Sequence, residues 1–235
     1  MHELALFAGA GGGLLGSRLN GWSTACAVEI NPHARNTLIA RQRDGHLDTF
    51  PIWDDVRTFD GRPWRGAIDV ISGGFPCQDI SAAGSGEGLS GSRSGLVFEM
   101  LRVVDEVRPA YVFAENSPNL RTRGLGTILK ELAGMGYDAK WGVLGAWHAG
   151  APHKRNRMWL VATHPDRARR CEQRGTIPVP AKQPAPKCGG WWAAEPGVGR
   201  VGHGMARRVD RLRALGNGQV PAVAHLAWEA LRAVG

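Results

Sequence analysis

"ELALFAGAGGGLLGSRL", Glu3 to Leu19, decides how the chain is read. "ELALFA" has the length and composition of a short strand. It runs straight into a glycine cluster and then into the helical spacing of "LLGSRL". Strand, glycine turn and helix in that order open a nucleotide-type α/β unit. Glycine lacks Cβ and tolerates positive φ, so this turn can bring backbone close to a ligand, or can simply be tight. Glu29 favours the ligand. It closes a second strand, "STACAVEIN" (23–31), about twenty residues further on, where an acid suits a ribose diol. No G-x-x-x-x-G-K-[ST] is present, so an adenosyl ligand without a pyrophosphate fits better than a phosphate-cradling loop.

The alternation continues. "PHARNTLIARQ" (32–42) reads as a helix with Pro32 at its first position, and "AIDVISGG" (67–74) as a buried strand. "GLVFEMLRVVDEVR" (95–108) is a strongly amphipathic helix, "PAYVFAENS" (109–117) a strand and "LGTILKELAGMGY" (125–137) a helix. "KWGVLGAW" (140–147) and "RMWLVATH" (157–164) are two more strands that pair as neighbours. This pattern predicts an α/β fold with a doubly wound, mostly parallel sheet. Ligands of such sheets bind outside the carboxyl ends of the strands, and Gly9, Glu29, Cys77 and Glu115 all fall there.

With 235 residues, the chain can hold one substantial domain and a small annex. Hydrophobic content of 43% and charged content of 21% fit a globular protein in water. No apolar run approaches the roughly 18 residues of a spanning helix, and the N-terminus lacks the basic region of a signal peptide, so a cytoplasmic location is expected. A net charge of +8 favours a polyanionic partner. The basic residues cluster from Lys154 to Arg213, in "HKRNR", "DRARR" and "ARRVDRLR".

Cys26, Cys77, Cys171 and Cys188 form no C-x-x-C pair, so zinc-finger spacing is absent and no metal is expected. Cys77 lies in "GGFPCQDISAAG" (73–84), a Gly/Pro turn after a buried strand. Packing and a nucleophile are its two strongest readings. "ENSPNL" (115–120) puts Glu115 at a strand end, where it is a cap, an ion-pair partner or an acid/base group. "WDDVRTF" offers Asp54 and Asp55, which read as turn acids. In "PHKRNRMW" (152–159), Arg155 and Arg157 share a face if a strand begins there. From about Pro165 to Gly204 the chain is rich in Pro and Gly and reads as irregular, before "NGQVPAVAHLAWEALRAV" returns to helical spacing.

Taken together, these stretches resemble the DNA (cytosine-5)-methyltransferase family, with the motifs in the family's order. "LFAGAGG" is similar to its S-adenosyl-L-methionine (AdoMet) loop, "VEI" to its ribose-binding acid and "DDV" to its adenine-contacting segment. "GGFPCQDIS" resembles its nucleophile motif, "ENSPNL" its Glu-Asn motif, "PHKRNRMW" its Gln-x-Arg-x-Arg motif and "GNGQVP" its C-terminal motif. The resemblance implies a Rossmann-like methyltransferase fold that binds AdoMet through Phe7, Ala8, Gly9, Gly11, Gly12, Glu29, Ile30, Asp55, Val56, Pro76, Asn217 and Gln219. It implies a covalent Cys77 adduct with a flipped-out cytosine, assisted by Glu115, Arg155 and Arg157. Gln78 and Ser81 match positions near the flipped base, and residues 81–95, including Arg93, look like a loop that closes over it.

The chain departs from the family at His153, where Gln is usual, and at Ser117, where Val often follows Glu-Asn. The family's Leu-Thr-Pro-Arg-Glu segment is not recognisable, and residues 165–215 are short for its target-recognition domain. Arg200, His203, Arg207 and Arg208 suit phosphate contact and minimal base readout, while Trp191 and Trp192 suit either that or packing. The expected organisation is a catalytic domain over 1–164, a reduced recognition region over 165–210, and a C-terminal helix over 211–235 that completes the catalytic domain. The implied enzyme is a compact, orphan or phage-like monomer acting on double-stranded DNA, with a cognate restriction endonuclease as a further partner. An RNA cytosine-5 methyltransferase and a non-catalytic AdoMet- or DNA-binding relative are the alternatives.

Overall fold

The computed structural model describes residues 1–76, 95–173 and 208–232. Its centre is a sheet of seven strands: β1 (His2–Leu6), β2 (Ser23–Val28), β3 (Ile52–Trp53), β4 (Val70–Gly74), β5 (Tyr111–Asn116), β6 (Asp138–Leu144) and β7 (Arg157–Thr163), in the order β3-β2-β1-β4-β5-β7-β6. The pairs from β3 through β5 are parallel, and β7 runs antiparallel to both β5 and β6. The expected doubly wound, mostly parallel sheet is therefore what forms. The single reversal has a local cause. Residues 145–156 join β6 to β7 through one 3₁₀ turn (Ala146–Ala149) with no crossover helix, so only an antiparallel return is open to the chain.

Side-chain alternation splits the core in two. Leu4 and Leu6 of β1, with Val28 and Ile71, face α3 (Gly95–Val107) and α5 (Leu125–Gly134), which bury Val97, Met100, Val104, Ile128 and Leu132. The opposite face is covered by α1 (Gly12–Leu19), α2 (Pro32–Arg43) and α8 (Pro221–Arg232). There Trp228 packs edge-on against Trp22 at 4.7 Å and against Tyr111 at 5.3 Å, while Phe113 stacks on Trp159. A four-residue helix, α4 (Leu120–Arg123), follows β5.

Two segments differ from the sequence reading. Pro165–Gln173, expected to open an irregular region, is a helix, α6, whose Ala168 is buried against the Trp228 cluster. Its composition is so basic that the short apolar stripe goes unnoticed. The C-terminal helix is two helices, α7 (Arg208–Asn217) and α8, with Gly218 and Pro221 in and after the break.

Glu3 shares the strand parity of Ala5 and so points into the α1 face, fully buried. Ser17 Oγ (2.6 Å) and Ser72 Oγ (2.5 Å) donate to Oε1, and Thr24 Oγ1 (2.9 Å) donates to Oε2. Burial pushes its carboxyl above the ordinary range, against the three hydroxyls. The folded state therefore favours the protonated form. Stability from this group is full at acid pH and is lost as pH rises through the raised value. Glu3→Gln should melt at a higher temperature relative to wild type as pH rises from about 4 to 8; a constant difference across that range would show that burial of the charge is not the cause.

Candidate active site

Strand order reverses between β1 and β4, whose following segments diverge to opposite sides of the sheet. The crevice at such a switch point is where doubly wound sheets take ligands. What lines it follows from the strand ends: Phe7–Gly9 after β1, Glu29 after β2, Phe75 and Pro76 after β4, Glu115 and Asn116 at the end of β5, and Arg157 at the start of antiparallel β7.

After β1 the chain turns sharply, with φ of 54° at Phe7, 56° at Gly9 and 93° at Gly11. The Glu29 carboxylate is fixed by main chain: Gly9 N–H donates to Oε2 and Asn31 N–H to Oε1, both at 2.7 Å. Each oxygen keeps a lone pair for a second donor, as a diol would offer. A Cβ on Gly9 would meet nothing within 4 Å, so the loop borders open space. Ile30 beside it is 58% exposed, an apolar surface at the mouth of the crevice. Ala8 extends the β2 ladder by donating to the Val28 carbonyl. Glu29, Gly9 and Ile30 thus suit an adenosine group: a diol acceptor, a backbone without side chain, and a flat apolar rest.

Other members of the expected cofactor set lie differently. Asp55 caps a 3₁₀ turn (Val56–Thr58), and Arg57 binds its carboxylate, which holds that carboxyl below the ordinary range. The Val56 side chain is in the core, so Val56 can offer a ligand only its main chain. Gly12 and Gly13 face the C-terminal segment. A Cβ on Gly12 would lie 2.4 Å from the Gln219 carbonyl oxygen, and one on Gly13 would lie 2.7 Å from Gln219 Oε1. Asn217 is exposed, and Pro76 is exposed at the exit of β4.

Beside the crevice sits a buried carboxyl. Glu115 is 8% exposed, and its Oε1 pairs with Arg157 Nε at 3.0 Å. Gln219 Nε2 donates to Oε2 at 3.4 Å. Burial pushes the Glu115 carboxyl up, and Arg157, Gln219 and Arg155 oppose this. Next along β5, Asn116 donates from Nδ2 to the Phe75 carbonyl at 2.9 Å and accepts from Ser117 N–H at 2.7 Å. It ties the end of β5 to the chain just before Pro76. Neither sequence composition nor spacing gave Asn116 a task.

Arg155 does not share the Arg157 contact. With φ of 35°, it donates from Nη2 to the carbonyls of Gly216 (2.8 Å) and Gly218, clamping the turn before Gln219. Period-two spacing failed here because strand β7 begins only at Arg157. Arg121 and Arg123, exposed on α4 at this same edge of the sheet, are basic residues that the sequence reading passed over. Cys77, Gln78, Ser81, Arg93, Arg200, His203 and Arg207 lie outside the described residues, and Arg208 begins α7. No group of His, Cys, Asp and Glu able to hold a metal occurs among the described residues.

Residues 1–187 match the family model described as C-5 cytosine-specific DNA methylase. The chain belongs to this family. Among its relatives, the Type II methyltransferase M.CviJI of Paramecium bursaria Chlorella virus IL3A is 36% identical over 167 residues, covering 70% of this chain and 44% of the viral protein. M.Eco47II of Escherichia coli is also 36% identical, over 170 residues that cover 70% of this chain and 40% of the bacterial one. The chain thus spans less than half the length of these relatives. Among solved structures, S. pombe Dnmt2 methyltransferase superposes with a TM-score of 0.56 at 22% identity, over 69% of this chain and 49% of that one, which is a likeness of fold.

The contact between Gly12 and Gln219 is with main chain, which cannot swing aside. Gly12→Ala should destabilise this methylase fold by about 1–3 kcal/mol, read as a drop in Tm. Gly126→Ala, on a helical glycine with nothing within 4 Å, should be neutral or mildly stabilising. Equal effects of the two would show that the close approach is not what matters.

Proposed function

We propose that this chain is a DNA (cytosine-5)-methyltransferase that transfers a methyl group to carbon 5 of a flipped-out cytosine. The observation that carries the reading is the buried Glu115 carboxyl, held by Arg157 at the edge where the β4 exit leads to Pro76 and Cys77. Family membership gives that edge a reaction. The Cys77 thiolate forms a bond to carbon 6 of the cytosine, and the electron pair displaced from the 5,6 double bond moves toward carbon 5 and N3. Glu115, kept protonated to higher pH by burial, donates its proton to N3 and offsets the developing charge. Carbon 5 then uses its electron pair to take up the methyl group, the donor sulfur keeping the pair of the broken bond, and the N3 proton returns to the Glu115 carboxylate. A base removes the carbon 5 proton, and that C–H pair re-forms the 5,6 double bond as the Cys77 thiolate leaves carbon 6.

AdoMet, when bound, supplies an electrophilic methyl group. Glu29 would accept from its ribose, Gly9 and its neighbours Phe7 and Ala8 would line its path, and Ile30 would rest against its adenine; Gly11, Gly12, Asp55, Val56, Pro76 and Asn217 would complete the surround. Arg157 orients the Glu115 carboxyl, Asn116 anchors the chain before Pro76, and Arg155 acts through the 216–218 turn.

The target base must leave the stack, because carbon 6 is out of reach inside a duplex. Gln78, Ser81 and Arg93 would meet the DNA near that base. Arg200, His203, Arg207 and Arg208, in a reduced recognition region over 165–210, would touch phosphates and base edges, with the catalytic unit formed by 1–164 and 211–235. Arg121 and Arg123 add phosphate contacts at the β5 edge. We further propose that the enzyme acts in the cytoplasm as a monomer, with a cognate restriction endonuclease as partner.

Duplex DNA carrying 5-fluorocytosine should trap a covalent adduct with wild type and none with Cys77→Ser, read on a denaturing gel alongside methyl transfer from labelled AdoMet to duplex DNA and tRNA. Absence of transfer to any nucleic acid would remove the enzyme reading, and transfer to tRNA alone would replace DNA with RNA. Replacing both Arg121 and Arg123 by Ala should weaken duplex binding severalfold and lower the salt slope by about 1–2, with the rate at saturating DNA retained. An unchanged salt slope would remove them from the DNA surface.

A further inference from the structure

We propose that Gln219 is a positioning residue for the catalytic acid, its side-chain amide steadying the Glu115 carboxyl at Oε2 and stabilising the carboxylate left when the proton passes to cytosine. This rests on the reading of Glu115 given above, and it separates Gln219 from the cofactor set in which its motif places it.

The amide sits in a slot made by missing Cβ atoms. On one side is Gly13 of α1, where an added Cβ would lie 2.7 Å from Gln219 Oε1. On the other is Gly74 of β4, where an added Cβ would lie 2.8 Å from Glu115 Oε2 and 3.2 Å from Gln219 Nε2. Gly74 is therefore a floor on which the Glu115 carboxyl and the Gln219 amide both rest. The Gln219 main chain is fixed as well: its carbonyl lies against Gly12, and Arg155 holds the carbonyls of Gly216 and Gly218 just before it. Side chain and backbone are thus both constrained, and the direction of the amide follows from packing.

The two carboxyl oxygens have different partners. Oε1 is in the ion pair with Arg157 at 3.0 Å, which leaves Oε2 as the place for a transferable proton. Gln219 Nε2 stands 3.4 Å from that oxygen, a long contact. When Oε2 gives up its proton, the oxygen gains charge, and a donor already aimed at it binds more strongly than before. The slot holds the amide with its N–H toward Oε2 and its oxygen toward Gly13, so glutamine serves the carboxylate left after transfer, and a hydrocarbon of the same shape does not. Among the described residues the charged side chains acting on Glu115 are Arg157 and Arg155, on the segment opening β7, and the thiol of Cys77 follows on the β4 exit.

The test compares Gln219→Met, which fills the slot without a donor, and Gln219→Asn, which keeps the amide but falls short of Glu115. Both should lower kcat by about ten- to a hundredfold, with the Kd for AdoMet, measured by calorimetry on the free enzyme, within twofold of wild type. The limb of the pH–rate profile that reports Glu115 should move to higher pH. A carbon-13 titration of the Glu115 carboxyl, its signal assigned by loss in Glu115→Gln, should move the same way in the enzyme alone. If Gln219 instead binds the cofactor, the Kd for AdoMet rises and the Glu115 titration stays put, which overturns the proposal. A merely structural role would lower Tm and kcat and leave both the pH limb and the titration unmoved, which also overturns it. Full activity in Glu115→Gln would bring down the reading of Glu115 itself, whereas an inactive Glu115→Gln beside an undisturbed Gln219→Met would bring down only this proposal.

Discussion

The first helix and the last segment of the chain are pressed together where no side chain fits. The Gln219 carbonyl occupies the space of a Cβ on Gly12, and one turn further on the Ala224 Cβ lies 2.7 Å from where Gly16 would carry its own. The organisation of the crevice depends on this approach. It lets α8 lie along α1, brings Trp228 into the aromatic core beside Trp22 and Tyr111, and delivers Gln219 to Glu115. The glycine loop consequently performs two tasks that one-letter patterning cannot separate. Gly9 and Gly11 permit the left-handed turn, and Gly9 faces open space; Gly12, Gly13 and Gly16 admit a neighbouring segment.

Three buried glutamates show how environment divides like side chains among tasks. Glu3 is met by three hydroxyls, and no charged group among the described residues balances it. Glu29 is met by two backbone N–H groups on a rigid turn, which fixes its direction and leaves its outer lone pairs to a ligand. Glu115 is met by a guanidinium on one oxygen and an amide on the other, so that its two oxygens differ. Only the last arrangement suits an acid, because burial raises the carboxyl's affinity for a proton while the asymmetry decides which oxygen carries it. Glu3 is raised too, yet it is sealed beneath α1. A perturbed carboxyl marks a site only when it also borders a crevice.

Much of this was legible in the sequence. Strand ends at Leu6, Val28, Gly74 and Asn116 follow from short apolar runs that stop at Gly, Glu or Pro, and they place Glu29 and Glu115 on one edge before any coordinates are seen. What was not legible depends on tertiary approach. Strand β3 has two residues and exists because Ala27 and Glu29 N–H groups find the carbonyls of Pro51 and Trp53. Helix α6 hides its one buried residue, Ala168, among charges. Arg155 looks like a partner of Arg157 in the alternating pattern, but β7 starts two residues later and its guanidinium turns to the carbonyls of the C-terminal turn. Asn116 is polar and buried at a strand end, and its task, bonding Phe75, depends on a chain that sequence spacing cannot bring to it.

Backbone strain follows the same geography. Among the described residues, three other than glycine have clearly positive φ: Phe7, Arg108 and Arg155. Such residues cost of order 1–3 kcal/mol each and persist only where their surroundings over-determine them. Arg108 lies at the opposite end of the sheet, and its carbonyl accepts from Arg167 while its guanidinium bonds the Met135 carbonyl, so hydrogen bonds between elements account for it. Phe7 and Arg155 lie on the crevice side. Phe7 turns the chain out of β1 with its ring still against the core, so that Gly9 reaches Glu29. Arg155 turns the chain into β7 so that its guanidinium reaches the 216–218 turn and Arg157 falls opposite Glu115. Relaxing either residue to ordinary β geometry would withdraw one support from a glutamate: the Gly9 N–H from Glu29, or the clamp behind Gln219 from Glu115. The strain at this edge is the physical counterpart of two carboxyl groups held in fixed directions.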